Sequence, residues 1–135
     1  MLLVDDNAEM RRAIREQISK QEGMKVVGEC ANGLEALEFL GKTAVDAMVL
    51  DIIMPQMDGY DATRQIRLVE EASGRMHTPI VAMSANAFVE DIDKAYAAGM
   101  DSYVTKPIGI EEVRRTLYEY AHKRPLNHIK GSLKS

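Results

Sequence analysis

Four short strand-like runs in this chain each end abruptly in side chains that can do chemistry. Leu2-Leu3-Val4 is followed by Asp5-Asp6, Ala47-Met48-Val49-Leu50 by Asp51, Pro79–Met83 by Ser84, and Ser102–Thr105 by Lys106. Singly, each has a structural explanation. Asp6 or Asn7 can cap a helix, an aspartate such as Asp51 can end a strand and open a turn, and Lys106 can be a solvated surface lysine. Together they carry more. If the runs are neighbouring strands, three carboxylates, a hydroxyl and an ammonium converge in one crevice. Crowded carboxylates repel, desolvation adds to the cost, and without a counter-charge their pKa values rise. A hard divalent cation removes the conflict, since Mg²⁺ favours one or two carboxylates with waters and a phosphate oxygen. The lysine offers a second positive charge to an incoming phosphoryl group, and the serine a hydrogen bond. A carboxylate so placed can act as a nucleophile and become an aspartyl phosphate.

Such a crevice needs strands and helices to build it, and the sequence alternates them. Met10, Ile14 and Ile18 recur every four residues among charged neighbours, which predicts an amphipathic helix stopped near Gly23. Lys25–Cys30 reads as a strand. Asn32-Gly33-Leu34-Glu35 has the spacing of a capping-box variant, and Leu34, Leu37 and Leu40 follow as one helical face ended by Gly41. Ala47–Leu50 is a continuous apolar run, as expected of a strand covered on both faces. A loop with Pro55 and Gly59 leads to a helix with Ala62, Ile66 and Val69. Helices are also predicted over Val89–Ala98, stopped by Gly99, and over Ile110–Ala121. Five β-α units in strict alternation argue for a parallel sheet with helices on both faces. In such sheets ligands bind at the carboxyl ends of the strands, where the strand order reverses.

The 135 residues suit one domain, and 46% apolar with 28% charged residues is the balance of a soluble globular chain. No apolar run approaches the roughly 18 residues needed to span a bilayer, and the first residues carry no basic stretch followed by a long apolar one, so neither a signal peptide nor membrane insertion is expected. The one cysteine, Cys30, cannot form an internal disulfide, which fits a cytoplasmic protein. The net charge is −4; four of the basic residues (Lys123, Arg124, Lys130, Lys134) follow His122, where no acidic residue occurs, so the body upstream carries −8. A body that acidic repels phosphate backbones and disfavours direct nucleic-acid binding.

The chain resembles the receiver (CheY-like) domain of two-component response regulators over roughly residues 1–121. The resemblance rests on Leu3-Val4-Asp5-Asp6-Asn7, on Val49-Leu50-Asp51-Ile52-Ile53-Met54-Pro55 with Met57-Asp58-Gly59, on Ile80-Val81-Ala82-Met83-Ser84-Ala85, and on Ala98-Gly99-Met100-Asp101 with Tyr103-Val104-Thr105-Lys106-Pro107. It implies a flavodoxin-like (βα)5 three-layer sandwich with a parallel five-stranded sheet of order 2-1-3-4-5. It also implies roles. Asp51 matches the phosphoacceptor, Asp6 a direct metal ligand, Asp5 a ligand acting mainly through water, and the Ile53 backbone carbonyl the remaining protein ligand. Lys106 matches the lysine that pairs with the acceptor and then with its phosphoryl group. Ser84 matches the switch hydroxyl, Tyr103 the switch aromatic, and Lys106-Pro107 a cis bond. The implied cofactor is Mg²⁺, with Mn²⁺ able to substitute. The implied donor is a sensor histidine kinase or a histidine phosphotransfer protein, and the implied output a repacked helix 4/strand 5/helix 5 face that binds a downstream protein. Such a module catalyses only its own phosphorylation and dephosphorylation. Residues 122–135 read as a tail or linker, and Pro55–Tyr60 with Ser84–Ala87 lean toward receivers of hybrid sensor kinases. The first strand is slightly shorter than the family's, and Ile53 offers no help to an attacking water where some relatives carry a polar side chain.

Two other readings are weaker. An aspartyl-phosphate phosphohydrolase places a second aspartate two residues after its nucleophile, where this chain has Ile53. A flavin mononucleotide site needs a first loop that welcomes phosphate, and Asp5-Asp6-Asn7-Ala8-Glu9 repels it. The nine methionines read as core filling, Cys30 as buried and inert, and the three histidines show no metal spacing. Phe88-Val89 is the best candidate for an exposed apolar contact, with core packing an equal alternative.

Overall fold

The structure, a computed structural model, describes residues 1–54, 57–85, 88–106, 111–115 and 118–119. Strands β1 (Leu2–Val4), β2 (Gly28–Cys30), β3 (Met48–Asp51), β4 (Ile80–Ser84) and β5 (Ser102–Thr105) form one parallel sheet of order β2-β1-β3-β4-β5. Helices α1 (Ala8–Ser19), α2 (Gly33–Lys42), α3 (Gly59–Ser73) and α4 (Val89–Ala98) cross between them, and residues 111–115 are helical. This is the expected flavodoxin-like arrangement.

Alternation along the strands divides the core in two. Leu2, Val4, Met48, Leu50, Ile80 and Ala82 pack with residues of α2, α3 and α4 on one face. Leu3, Val49, Val81, Met83 and Val104 pack against Ile14 and Ile18 of α1 and against Val113 on the other. Because β1, β3 and β4 are covered on both sides, their sequences are continuously apolar rather than alternating.

Local chemistry explains the junctions. The Asn7 side chain caps α1 by accepting from the N–H groups of Glu9 and Met10. Asn32 caps α2 by accepting from Glu35 N–H at 2.9 Å, while Glu35 reaches back to the N–H of Ala31. Asp58 caps α3 through the N–H of Asp61. Gly99 ends α4 at φ 108°, a left-handed conformation that favours glycine.

Several details depart from the sequence expectations. Strand β2 spans three residues, not the whole of Lys25–Cys30, because β1 begins its register with Leu2 opposite Gly28. Helix α2 continues through Gly41 to Lys42. Its buried face is Gly33 and Ala36, flanked by Leu37 and Leu40, while Leu34 is exposed. The helix is turned this way because Gly33 sits against the Met57 carbonyl, where even a methyl group would have only 2.8 Å. In α3, Ala62 and Ile66 are buried as expected, but Val69 is 45% exposed and Glu70 is buried instead. The expected helix over Ile110–Ala121 is seen at residues 111–115 and 118–119; its other residues, Pro107 and the 122–135 tail lie outside the described residues.

Candidate functional site

The carboxyl ends of β1 and β3, adjacent in the sheet, deliver Asp5 and Asp51 side by side, with Asp6 next in the chain. The three residues each offer a carboxylate oxygen within 4.8 Å of the others. Asp5 and Asp51 are 1% and 4% exposed, and Asp6 faces solvent. From the end of β5, Lys106 Nζ reaches in to 3.4 Å from Asp5 Oδ2 and 3.4 Å from Asp51 Oδ2. The structure thus brings together Asp5, Asp6, Asp51 and Lys106. Lys106 N–H also donates to the Ser84 carbonyl at 2.7 Å, extending the β4–β5 pairing one residue beyond the strands.

The backbone around the cleft is fixed from several sides. Asp5 N–H donates to the Cys30 carbonyl at 3.0 Å, and Asp5 Oδ1 accepts from Asn7 N–H at 2.9 Å. After β3 the chain turns sharply: Gly59 N–H donates to the Ile52 carbonyl at 2.8 Å. A Cβ on Gly59 would lie 2.6 Å from the Asp51 carbonyl oxygen, so only glycine fits. Ile53 N–H approaches Asp51 Oδ1 at 3.4 Å, while the Ile53 side chain is 70% exposed at the cleft.

The charge balance is acidic. Burial, and next the charge of Asp5, push the Asp51 carboxyl up to about 6; Lys106 and the Ile53 N–H oppose the rise. Asp5 Oδ2 is buried and accepts no hydrogen bond. Its 3.4 Å approach to Lys106 is an ion-pair distance whose geometry falls short of a hydrogen bond. A buried carboxylate oxygen in this condition is costly unless a further cation shares it. Hard oxygen donors, one orphaned and one exposed to admit water, are the donor set that suits Mg²⁺.

Ser84, 5% exposed, ends β4 at the same sheet edge, and Tyr103 lies half-buried on β5. Tyr103 is opposite Ala82 and Ser84 is opposite Thr105, so strand alternation puts Ser84 and Tyr103 on one face of the sheet. Tyr103 packs against the core beside Tyr60, whose hydroxyl donates to the Asp91 carbonyl at 3.2 Å, tying α3 to the first turn of α4. Phe88 and Val89 are both largely exposed at the start of α4. Cys30 is buried, and burial pushes its thiol up to about 11, so it is inert as a nucleophile.

Sequence reasoning missed a second polar cluster at the opposite end of the sheet. Arg67 of α3 donates to Glu70 Oε1, Asp101 Oδ2 and the carbonyls of Thr78 and Gly99, all at 2.7–2.9 Å. Asp101 also accepts from Ile80 N–H at 2.8 Å and meets His77 Nε2 at 2.6 Å. The signal available was only the charged Arg67 and Glu70 on a helix face that otherwise looked amphipathic. An open, mainly aliphatic cavity of about 690 Å³ lies near this end, between Leu37–Asp46 and the second half of α3, away from the carboxylates.

The doubly wound sheet carries an acidic, cation-paired cleft at the carboxyl edge of its central strands, where the carboxylates repel the phosphates a dinucleotide-binding edge would attract. The particular family follows from comparison. The family model of the response regulator receiver domain matches residues 1–118, and the chain belongs to that family. It is 30% identical to Histidine kinase 5 of Arabidopsis thaliana over 90% of this chain and 16% of that protein, and 34% identical to the sensor histidine kinase RcsC of Salmonella typhi over 91% and 12%. The chain therefore spans under a fifth of these relatives. The receiver domain of the Arabidopsis histidine kinase CKI1, solved with Mg²⁺, superposes at a TM-score of 0.71 with 34% identity, covering 84% of this chain and 88% of that one. A chain in the complex of the Saccharomyces cerevisiae phosphotransfer protein Ypd1 with the receiver domain of Ssk1 superposes at 0.79 with 25% identity, covering 88% and 86%. No helix among the described residues is long and apolar enough to cross a membrane.

Proposed function

We propose that this domain accepts a phosphoryl group from a phosphohistidine donor onto Asp51 and responds by changing the face it offers to a partner. The observation that carries this reading is the placement of Lys106 Nζ 3.4 Å from each of two buried carboxylates, one of which has an oxygen with no hydrogen bond. In this reading an Asp51 carboxylate oxygen attacks phosphorus. The new O–P bond forms as the P–N bond of the donor breaks, and the imidazole leaves with the electron pair. The Lys106 ammonium, already beside the acceptor oxygen, then pairs with the phosphoryl oxygens. Asp5, Asp6, Asp51 and the Ile53 backbone carbonyl would hold Mg²⁺ or Mn²⁺, whose charge offsets that of the carboxylates and of the incoming phosphoryl group. The domain transforms no external substrate.

The donor is of the sensor histidine kinase or histidine phosphotransfer class, in keeping with the kinases it resembles and with the Ypd1–Ssk1 pairing. Both classes, and a lone buried cysteine, suit a cytoplasmic setting. Phosphorylation adds about −1.5 to −2 charges and three acceptor oxygens at the end of β3. Ser84 is one strand away and would be drawn toward them. Tyr103, on the same sheet face, would then turn inward and repack α4, β5 and the helix that includes residues 111–115. We assign the receiver to 1–121 and the linker to 122–135.

A small phosphodonor with Mg²⁺ should add one base-labile phosphoryl group to the wild type and none to Asp51→Asn. Equal labelling of the Asn variant would falsify the assignment. Ser84→Ala and Tyr103→Ala should still be labelled, yet show smaller NMR shift changes on α4 and β5 at equal phosphoryl occupancy. A full wild-type pattern in both refutes the switch.

A further inference from the structure

Asp5 is held at every polar atom but one. Its N–H is bonded to β2, its Oδ1 to the N–H of Asn7, and only Oδ2 is left facing the cleft. Its backbone carbonyl lies just beyond the end of β1, where no further strand residue continues the ladder. That carbonyl is taken by Arg11 Nη1, from the second turn of α1. The guanidinium is itself held: Arg11 Nε lies 3.3 Å from Glu29 Oε1 in the middle of β2, and Glu29 Oε2 is paired in turn with Arg15 Nη1. Arg11 and Glu29 are largely buried, at 18% and 25% side-chain exposure.

We infer that Arg11, anchored by Glu29, is a positioning residue for the acidic cleft: it clamps the Asp5–Asp6 peptide and so sets the relative direction of two carboxylates toward a divalent cation. The inference rests on the reading of the cleft as a Mg²⁺ site. The clamp requires the shape of the guanidinium. Its rigid fork serves a carboxylate with one nitrogen and a carbonyl with another, which a lysine ammonium on a flexible stem does not reproduce. Groups that orient metal ligands from outside typically carry ten- to hundredfold in metal affinity.

Charge alone predicts the opposite sign. Removing a cation near three carboxylates makes the cleft more negative and should tighten Mg²⁺ binding. Removing a clamp loosens the ligand geometry and should weaken it. The test is Mg²⁺ titration of wild type, Arg11→Met and Arg11→Lys, followed by calorimetry and by the amide shifts of Asp6 and Asn7, with thermal unfolding alongside. The clamp predicts a Kd raised on the order of tenfold in both variants. Glu29→Met, which leaves Arg11 in place without its anchor, should weaken binding in the same direction by a smaller factor. A lower or unchanged Kd in Arg11→Met overturns the inference, as does wild-type affinity in Arg11→Lys. A variant that unfolds is replaced by Glu29→Met as the deciding measurement, and wild-type affinity there also overturns it. If the wild type itself binds no Mg²⁺, the functional reading fails with it; if only the variants behave as wild type, that reading stands and the clamp alone is wrong.

Discussion

Replacing Asp51 with asparagine should make the metal-free domain more stable, by an amount the cleft itself sets. The Asp51 carboxyl is pushed up to about 6 by burial and by Asp5, against an ordinary 3.8 in an unfolded chain. As pH climbs from about 4 to about 6 the unfolded chain releases its proton first, so native stability falls; above about 6 both states are ionised and the loss is complete. At about 1.4 kcal/mol per pKa unit the full loss is about 3 kcal/mol. Asparagine has nearly the same shape and no charge, so Asp51→Asn escapes the loss. Urea unfolding in chelator should therefore show the variant about 3 kcal/mol more stable at pH 7.5, equivalent to roughly 10 °C in Tm. At pH 4.5 the gap should shrink to about 1 kcal/mol, because Asp51 is then mostly protonated in the native state. Excess Mg²⁺ should narrow the pH 7.5 gap by stabilising the wild type through mass action. Equal stabilities at pH 7.5, or a gap that is the same at both pH values, would refute the argument from carboxylate crowding.

Lys106→Met leaves two buried carboxylates without their shared cation, so metal-free stability at pH 7.5 should drop by about 2–3 kcal/mol in the same urea assay. Arg67→Met removes the cation that Glu70 and Asp101 share and should cost about 3–5 kcal/mol, yet leave the Mg²⁺ Kd within about twofold because Arg67 lies at the other end of the sheet. Burial pushes the Asp101 carboxyl up, but hydrogen bonds from His77 and Ile80 N–H and the charges of His77 and Arg67 outweigh it and hold the group below its usual value. A depressed carboxyl contributes stability above the ordinary value and loses it as pH falls through the folded one, so Asp101→Asn should flatten the acid limb of the stability profile below about pH 4. Gly59→Ala drives a methyl group into the Asp51 carbonyl; it should cost about 1–3 kcal/mol in urea and also weaken Mg²⁺ binding, where a purely local effect would leave the Kd unchanged.

The strands are legible in the sequence because β1, β3 and β4 are buried on both faces and so read as unbroken apolar runs, each with a polar residue immediately after it. That adjacency is also what makes the convergence of Asp5, Asp6, Asp51 and Lys106 legible once the runs are taken as neighbours. Helix rotation is harder to read. Leu34 and Val69 look like core positions by periodicity, but Gly33 must face Met57 and Glu70 must meet Arg67 and Thr78 N–H, and both contacts turn the helix. Gly41 looks like a stop, yet a glycine inside a helix costs only about 1 kcal/mol, which the packing of Leu37 and Leu40 offsets. The Arg67–Asp101 and Arg11–Glu29 contacts join residues far apart in sequence, 34 positions in the first case and 18 in the second, and leave no local pattern.

Because β1 sits between β2 and β3 while β5 closes one edge, the cleft is stitched together from the two extremes of the matched stretch. During synthesis all three carboxylates emerge well before Lys106, the cation that Asp5 and Asp51 share. The contact that closes it, Lys106 with Asp5, joins the two ends of that stretch, and contacts of such high sequence separation form late. A chain interrupted before β5 holds the acids without their counter-charge and has no finished cleft. Under the proposed function, competence to take a phosphoryl group would arrive only when every strand is in register, and half-folded chains would stay silent.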